Sequence, residues 1–468
     1  MKIAPVNRFY RRIRDKTKSG GLNISRRGRG GNTMAGGAEV IVIGAGLGGM
    51  SAGALLARSG RETIVFERAS FIGGRLHVVV KDGFTLDYGI HMSRFHKRGK
   101  LAEVMRAAGG RPSFLSPGPP EVFKDGKFFP FPSAPAELIK TELLSPLSKL
   151  SLLKLLAWTA FNNPDRAGDA SLADALSGID APDDLSELCA LLASTALANP
   201  YPELASMKEL KKFLEQLLKN PFEPVGYIKG GWNGFFDLMK KNIESNGKIL
   251  TRRKVERVIF SKGRAAGVES DGEKFECDAL VCAVPFQDAL KIIDAKHMSP
   301  PLVEYAKRVE PTCGVVVDFA LSRPVSDKSG LILTPDPVTM GCLISNVDPS
   351  LAPQGKQLGT WLQFIPASRA DEKEFVKKTQ KELLDLIGRA LPGVWDACEW
   401  KRELFTPVVD GAMLKVGQTW NERAPLVSPE VHNLFFAGDT TCGVGAGGDI
   451  ALDSALRVSK LVRKYLRK

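Results

Sequence analysis

Glu39-Val-Ile-Val-Ile-Gly-Ala-Gly-Leu-Gly-Gly49 decides the fold. Its first five residues form a β-branched run closed by glycine, the pattern of a strand buried on both faces. The Gly-rich stretch leads into Met50–Arg58, an alanine-rich segment that reads as a helix stopped at Ser59-Gly60. Thr63-Ile-Val-Phe-Glu67 is then a second strand. Together they make a βαβ unit about 30 residues long, the context in which G-x-G-x-x-G binds a dinucleotide. Gly44 permits the tight turn, Gly46 lets backbone approach a pyrophosphate, and Gly49 lets the helix pack close to the sheet. The helix N-terminus adds free N–H groups and a partial positive charge. Glu67, at the end of the second strand, is placed to accept from ribose hydroxyls, and its charge repels a 2′-phosphate, so NADP is the least favoured dinucleotide.

Outward from this unit the chain alternates strand and helix signals. Asp82-Gly83 precedes an alternating stretch from Phe84 to Tyr88, and Asp125-Gly126 predicts a hairpin over 121–131. Residues 134–218 turn helical and leucine-rich, with Leu147, Leu150, Leu153 and Leu156 ahead of Trp158. Gly230-Gly231 opens a helix over 235–244 that stops at Asn246-Gly247, and strands over 254–284 turn about Asp271-Gly272. Residues 300–420 mix strands with a helix near 374–390. A strand at 433–437, a glycine-rich loop at 443–448 and a helix to the C-terminus complete the pattern.

Composition excludes several classes. With 44% apolar and 25% charged residues over 468, the chain is globular and long enough to bury a large core without staples. Its apolar runs fall far short of the roughly 20 residues of a spanning helix, so an integral membrane protein is not expected. Of the net charge of +13, residues 1–34 supply +9, with ten basic side chains against Asp15. That leader, with Arg26-Arg-Gly-Arg-Gly-Gly31, reads as a disordered tail or an over-long start before Met34, and nucleic acid is not an expected partner. Seven scattered cysteines without C-x-x-C fit a reducing, cytoplasmic compartment and argue against a disulfide framework. Five histidines without H-E-x-x-H leave no metal site expected, and redox chemistry would need an organic cofactor.

Further motifs recur in a fixed order between 39 and 460. They are Val42-Ile-Gly-Ala-Gly-Leu-Gly-Gly49, Glu67 with Gly73-Gly74-Arg75, and Gly83-Phe-Thr-Leu-Asp87-Tyr-Gly89. Lys229-Gly-Gly231, Val255 and Ala283-Val-Pro285 follow, then Phe436-Ala-Gly438-Asp439 with Gly445-Ala-Gly-Gly448-Asp-Ile450. In this combination the chain resembles the flavin-dependent amine oxidase and phytoene desaturase superfamily, departing from it at Ile90-His91 and Ala455. The resemblance implies FAD and an α/β fold: a discontinuous Rossmann-like FAD-binding domain (about 35–110, 225–300 and 420–468) with an inserted mixed α+β substrate domain (111–224 and 301–419). It further implies Arg75 beside the pyrophosphate and flavin ring, the Gly89–Met92 backbone with His91 along the isoalloxazine, and Val255 at the adenine end. Gly438 and Asp439 would lie near the ribityl and pyrophosphate, and the amides of Gly448, Asp449 and Ile450 would face flavin N1 and O2. A helix N-terminus there suits the charge that a reduced flavin carries.

The expected function is hydride transfer between flavin N5 and an apolar, isoprenoid or polyene substrate, as a desaturase, saturase or isomerase. The leucine-rich insert and the lack of clustered charge support an apolar substrate, and neither the electron acceptor nor the substrate's identity is legible. Amine oxidation and protoporphyrinogen oxidation are the enzymatic alternatives; a non-catalytic protein of the Rab escort and dissociation-inhibitor type is the alternative of another class. His91 and Lys415 are the candidate catalytic side chains. Cys442 is expected to be a buried thiol, and the leucines of 147–158 to lie in a core or cap helix, with peripheral contact to a bilayer as the other reading.

Overall fold

The computed structural model describes residues 34–132, 135–161, 169–220 and 225–467; the basic leader, apart from Met34, lies outside them. Among the described residues are two seven-stranded sheets. The first comprises β1 (Met34–Ile43), β2 (Thr63–Phe66), β3 (Gly247–Leu250), β4 (Val255–Ser261), β5 (Arg264–Ser270), β6 (Glu273–Cys282) and β7 (Leu434–Phe436). Their order is β3-β2-β1-β6-β5-β4, with β7 pairing the last residues of β6. β3, β2, β1, β6 and β7 run parallel, while β4, β5 and the start of β6 form an antiparallel meander turning at Lys262-Gly263 and Asp271-Gly272.

The β-branched run of β1 is buried throughout because both faces of this sheet are covered. Val40 and Val42 pack under α1 (Leu47–Arg58), α2 (Asn233–Glu244) and α3 (Gly448–Tyr465). Ile41 and Ile43 point the other way, into a cluster with Phe286, Leu302 and Tyr305. Each such aliphatic side chain contributes about 1.5–3 kcal/mol on burial. α1 carries glycine and alanine because it is squeezed: a Cβ on Gly48 would stand 3.1 Å from the backbone of Gly438, at the end of β7. The Asn246-Gly247 stop is already the start of β3, where a Cβ on Gly247 would collide with Thr63 O.

The second sheet is mostly antiparallel, in the order Cys398–Thr406, Cys313–Leu321, Gln357–Ile365, Val338–Cys342, Ile332–Pro335, Glu121–Lys124, Lys127–Pro130. Its terminal hairpin turns on Asp125 and Gly126, both at positive φ, as their sequence predicts. Val315, Val317 and Phe319 face the helix Lys373–Ala390, whereas Val316, Leu362 and Phe364 share a cluster with Leu188 and Leu191 of the helix Asp183–Leu197 and with Ile450 of α3.

Of the expected core or cap helix, the core half fails here. In the helix Pro146–Phe161 the leucines at 147, 150, 153 and 156 are not core: they are 64%, 54%, 62% and 46% exposed. Ser148, Ser151, Leu152 and Leu155 face inward instead. The orientation follows from Asp184, which accepts from the Ser145 N–H at 2.7 Å and from the Ser148 hydroxyl, and from Leu152 and Leu155 entering the cluster of Leu188 and Leu191. Among the described residues, no helix is long and apolar enough to cross a membrane.

Candidate active site

The carboxyl ends of the parallel strands gather the chemistry, as the crevice rule for open α/β sheets requires. Gly44 turns the chain out of β1 at φ +100, and the stretch up to Gly46 delivers it to the N-terminus of α1. Gly73-Gly74 lies directly against this loop, Gly73 N–H donating to Ala45 O at 2.8 Å. The N-terminus of α3 approaches from the other side, with Gly448 beside Leu47 and Gly48 against Gly438. Two helix N-termini therefore converge where a Cβ on Gly46 would meet nothing within 4 Å. This open, doubly electropositive cradle suits a pyrophosphate.

The groups around it match in kind. Glu67, at the end of β2, accepts from Ala45 N–H at 2.9 Å and Ala69 N–H at 2.7 Å, which holds its carboxylate beside the loop with lone pairs to spare. Arg253 N–H donates to Glu67 O at 2.8 Å, so the backbone entering Val255 runs along the same edge. Arg75 pairs with Asp439 at 2.7 Å and donates to Val409 O at 2.9 Å. Burial would raise the Asp439 carboxyl, but the Arg75 guanidinium and the Gly411 N–H hold it below the ordinary carboxylate range. At the start of α3, burial pushes Asp449 up to about 6 against the pull of Arg94 and Lys100, and Asp410 up to about 6 with Asp439 adding repulsion. The residues present thus fit a flavin dinucleotide: phosphate cradle, ribose acceptor and a helix N-terminus for the ring.

Beyond the cradle the chain passes through Gly89, at φ +112, to Ile90, His91 and Met92. His91 is tied down by its carbonyl, which accepts from Trp232 Nε1 at 3.1 Å, while its Nδ1 is buried with no partner. Burial, helped by the nearby Arg75 charge, lowers its pKa to about 4, so the imidazole is neutral at pH 7. Beside it lies a cavity with about 20 Å³ of room for water, enough for one molecule, bounded by Asp87, Ile90, His91, Tyr227, Asp318 and Leu358 among others. Burial pushes Asp87 up to about 7 although the Tyr227 hydroxyl donates to it at 3.1 Å. Asp318, mid-strand and fully buried, faces Arg402 directly across the ladder and accepts from its Nε at 2.8 Å. Arg402 also donates to Asp87 O at 2.7 Å, lashing the second sheet to the Asp87–Gly89 loop.

Of the sequence candidates, Gly44, Gly46, Gly49, Glu67, Gly73, Gly74, Arg75, Gly438, Asp439, Gly448, Asp449 and Ile450 converge on the cradle, Gly89 and His91 line the small cavity beside it, and Met92 packs against the core cluster of the first sheet. Lys415 does not join them, since its ammonium is engaged by Glu310 and its backbone bridges Ala205. Cys442 is half-buried and not fully enclosed as expected, although its N–H donates to Ala424 O and its carbonyl accepts from Arg457, both at 2.8 Å. Sequence reading missed Tyr227, Asp318 and Arg402. One signal was available: Asp318 interrupts the apolar strand Gly314-Val-Val-Val-Asp-Phe-Ala-Leu321, and a lone charge in such a run needs a buried partner.

Comparison with known proteins identifies the family and the fold. The family described as flavin containing amine oxidoreductase matches residues 47–463. The chain is 28% identical over 330 residues to an uncharacterised protein of Methanocaldococcus jannaschii, covering 68% of this chain and 76% of that protein. It is 23% identical to a 4,4'-diapolycopene oxygenase of a Methylomonas species, over 91% of this chain and 98% of the relative. Among solved structures, an oxidoreductase from Methanosarcina mazei superposes with a TM-score of 0.76 at 21% identity, covering 90% of this chain and 99% of the other.

Proposed function

The chain belongs to the flavin containing amine oxidoreductase family and is an FAD-dependent oxidoreductase, and from that premise we propose that its substrate is an apolar, isoprenoid-type polyene that it desaturates, saturates or isomerises. The observation that carries this reading is the apolar packing of the second sheet around the start of α3. Val316, Met340, Leu362 and Phe364 of the second sheet share one apolar cluster with Ile90, Leu414, Ala446 and Ile450, which reaches the N-terminus of α3. The similarity to a diapolycopene oxygenase points the same way.

When bound, the flavin supplies hydride transfer at N5. The chain's own residues bind, orient and neutralise. Gly46 and the N-terminus of α1 would hold the pyrophosphate, Glu67 the ribose, and the amides opening α3 would stabilise negative charge on the ring. Removal of a hydride from one carbon of a C–C bond leaves a proton to be taken from its neighbour. His91, neutral and with Nδ1 unengaged, is the group placed to accept it. The apolar wall keeps bulk water from the reacting carbon.

The test is anaerobic mixing of the holoenzyme with a detergent-solubilised linear polyene and, separately, with primary amines and a porphyrinogen. Exchange of electrons between flavin and polyene, seen as bleaching or recovery of flavin absorbance with a matching change in the polyene spectrum, is expected. Reduction of the flavin by an amine or a porphyrinogen, with the polyene inert in both redox states, would overturn the substrate class and leave the flavoenzyme intact.

A further inference from the structure

We infer that the outward face of the helix Pro146–Phe161 is a docking surface for a lipid bilayer carrying anionic headgroups. The inference goes beyond the substrate reading and stands without it. The helix is inside out: Ser148 and Ser151 are buried while Leu147, Leu150, Leu153 and Leu156 face solvent. Among the described residues six large hydrophobics are exposed, and four of them are these leucines. Isolated exposed leucines need no explanation, but a contiguous row does. The row is held outward, since Asp184 clamps the serine side to the neighbouring helix and Leu152 and Leu155 fill the core beneath.

Charge selects the occupant. The helix carries Lys149 and Lys154 and no acid, and among the described residues neither ammonium is in a salt bridge. A leucine row edged by lysines matches a bilayer, where apolar side chains enter the acyl boundary and ammonium groups meet phosphate. A second copy fits poorly, because an isologous contact on this face would bring the lysines of both copies together. Crossing the membrane is excluded by length, as sixteen helical residues span about 24 Å against a hydrocarbon core of about 30 Å. The helix therefore lies on the surface. The leader, with its ten basic side chains, adds attraction of the same sign.

The experiment is flotation of the full-length holoenzyme with phosphatidylcholine vesicles, with and without phosphatidylglycerol. The wild type is expected to float with the phosphatidylglycerol vesicles. The double variant Leu150→Gln/Leu153→Gln should lose more than about tenfold of the bound fraction while keeping its flavin absorbance and melting temperature. Lys149→Glu/Lys154→Glu should weaken the preference for phosphatidylglycerol, of which the leader keeps a part. Three results would each overturn the proposal: a wild type that stays in solution with both vesicles, a leucine variant that floats as well as wild type, which would assign binding to the leader, and sedimentation showing a dimer that the leucine variant dissociates.

Discussion

Two arginine–aspartate pairs with buried carboxyls flank the proposed site, and the pKa values of the two carboxyls are shifted in opposite directions. Arg75 and Asp439 meet at 2.7 Å, and the carboxyl is held below its ordinary pKa. Arg402 and Asp318 meet at the same distance, yet burial raises Asp318, and Asp87 beside it is pushed up to about 7. Backbone donors make the difference. Asp439 sits past the end of β7, where the Gly411 N–H is free to donate at 2.7 Å. Asp318 lies mid-strand between two partners, where the ladder consumes the surrounding N–H groups. Charge at a strand end is solvated by the fold, whereas charge inside a sheet depends on one arginine. The backbone donors thus favour the charged form of Asp439, while burial pushes Asp87 and Asp318 toward the protonated form.

Removing the arginine from the second pair should have the largest effect. Arg402→Met leaves Asp318 buried without its cation and unties the Asp87–Gly89 loop, so a loss of about 3–5 kcal/mol is expected in urea denaturation. A loss below about 1 kcal/mol would mean that the pair is dispensable. Asp87 comes next. Between about pH 4 and 7 the folded chain holds a proton that the unfolded chain releases, so this group's contribution falls as pH rises through that window. Asp87→Asn, always neutral, should flatten the stability profile by up to about 1.4 kcal/mol per pH unit there. An unchanged slope would show that Asp87 is ionised in the fold.

The first pair should respond more weakly and in a different observable. Asp439→Asn removes the charge that Arg75 faces, and flavin affinity should fall about ten- to a hundredfold, equivalent to about 1.5–3 kcal/mol, measured by titration of the apoprotein. Gly46→Ala should change apoprotein stability least, by about 0.5 kcal/mol or less, since its Cβ meets open space. The same methyl occupies the phosphate cradle, so the purified protein should carry little flavin. A variant that binds flavin normally would remove Gly46 from the site.

Much of the cradle was legible because its chemistry is local. Gly44 to Glu67 encode strand, turn, helix N-terminus and ribose acceptor within one βαβ unit, and each residue type has a backbone reason to stand where it does. Asp439 and Gly448 were legible through the glycines around them. The ion pair of Lys415 was not legible because a side chain's partner is a matter of tertiary register, and Glu310 is remote in sequence from Lys415. The second pair was hidden for the same reason: Asp318 and Arg402 are opposed by antiparallel pairing across 84 residues.

By itself, then, the sequence determined the parallel sheet, the dinucleotide loop and the apolar character of the insert, since hydrophobic period and glycine placement act over a few residues. Only the tertiary structure decided which side of the helix Pro146–Phe161 faces out, because a leucine row at i, i+3 is equally compatible with core and surface until Asp184 and the Leu152–Leu155 face claim the other side. It also decided that the Asp87 carboxyl is pushed up to about 7, since desolvation belongs to everything packed around a carboxyl and to no single neighbour in the chain.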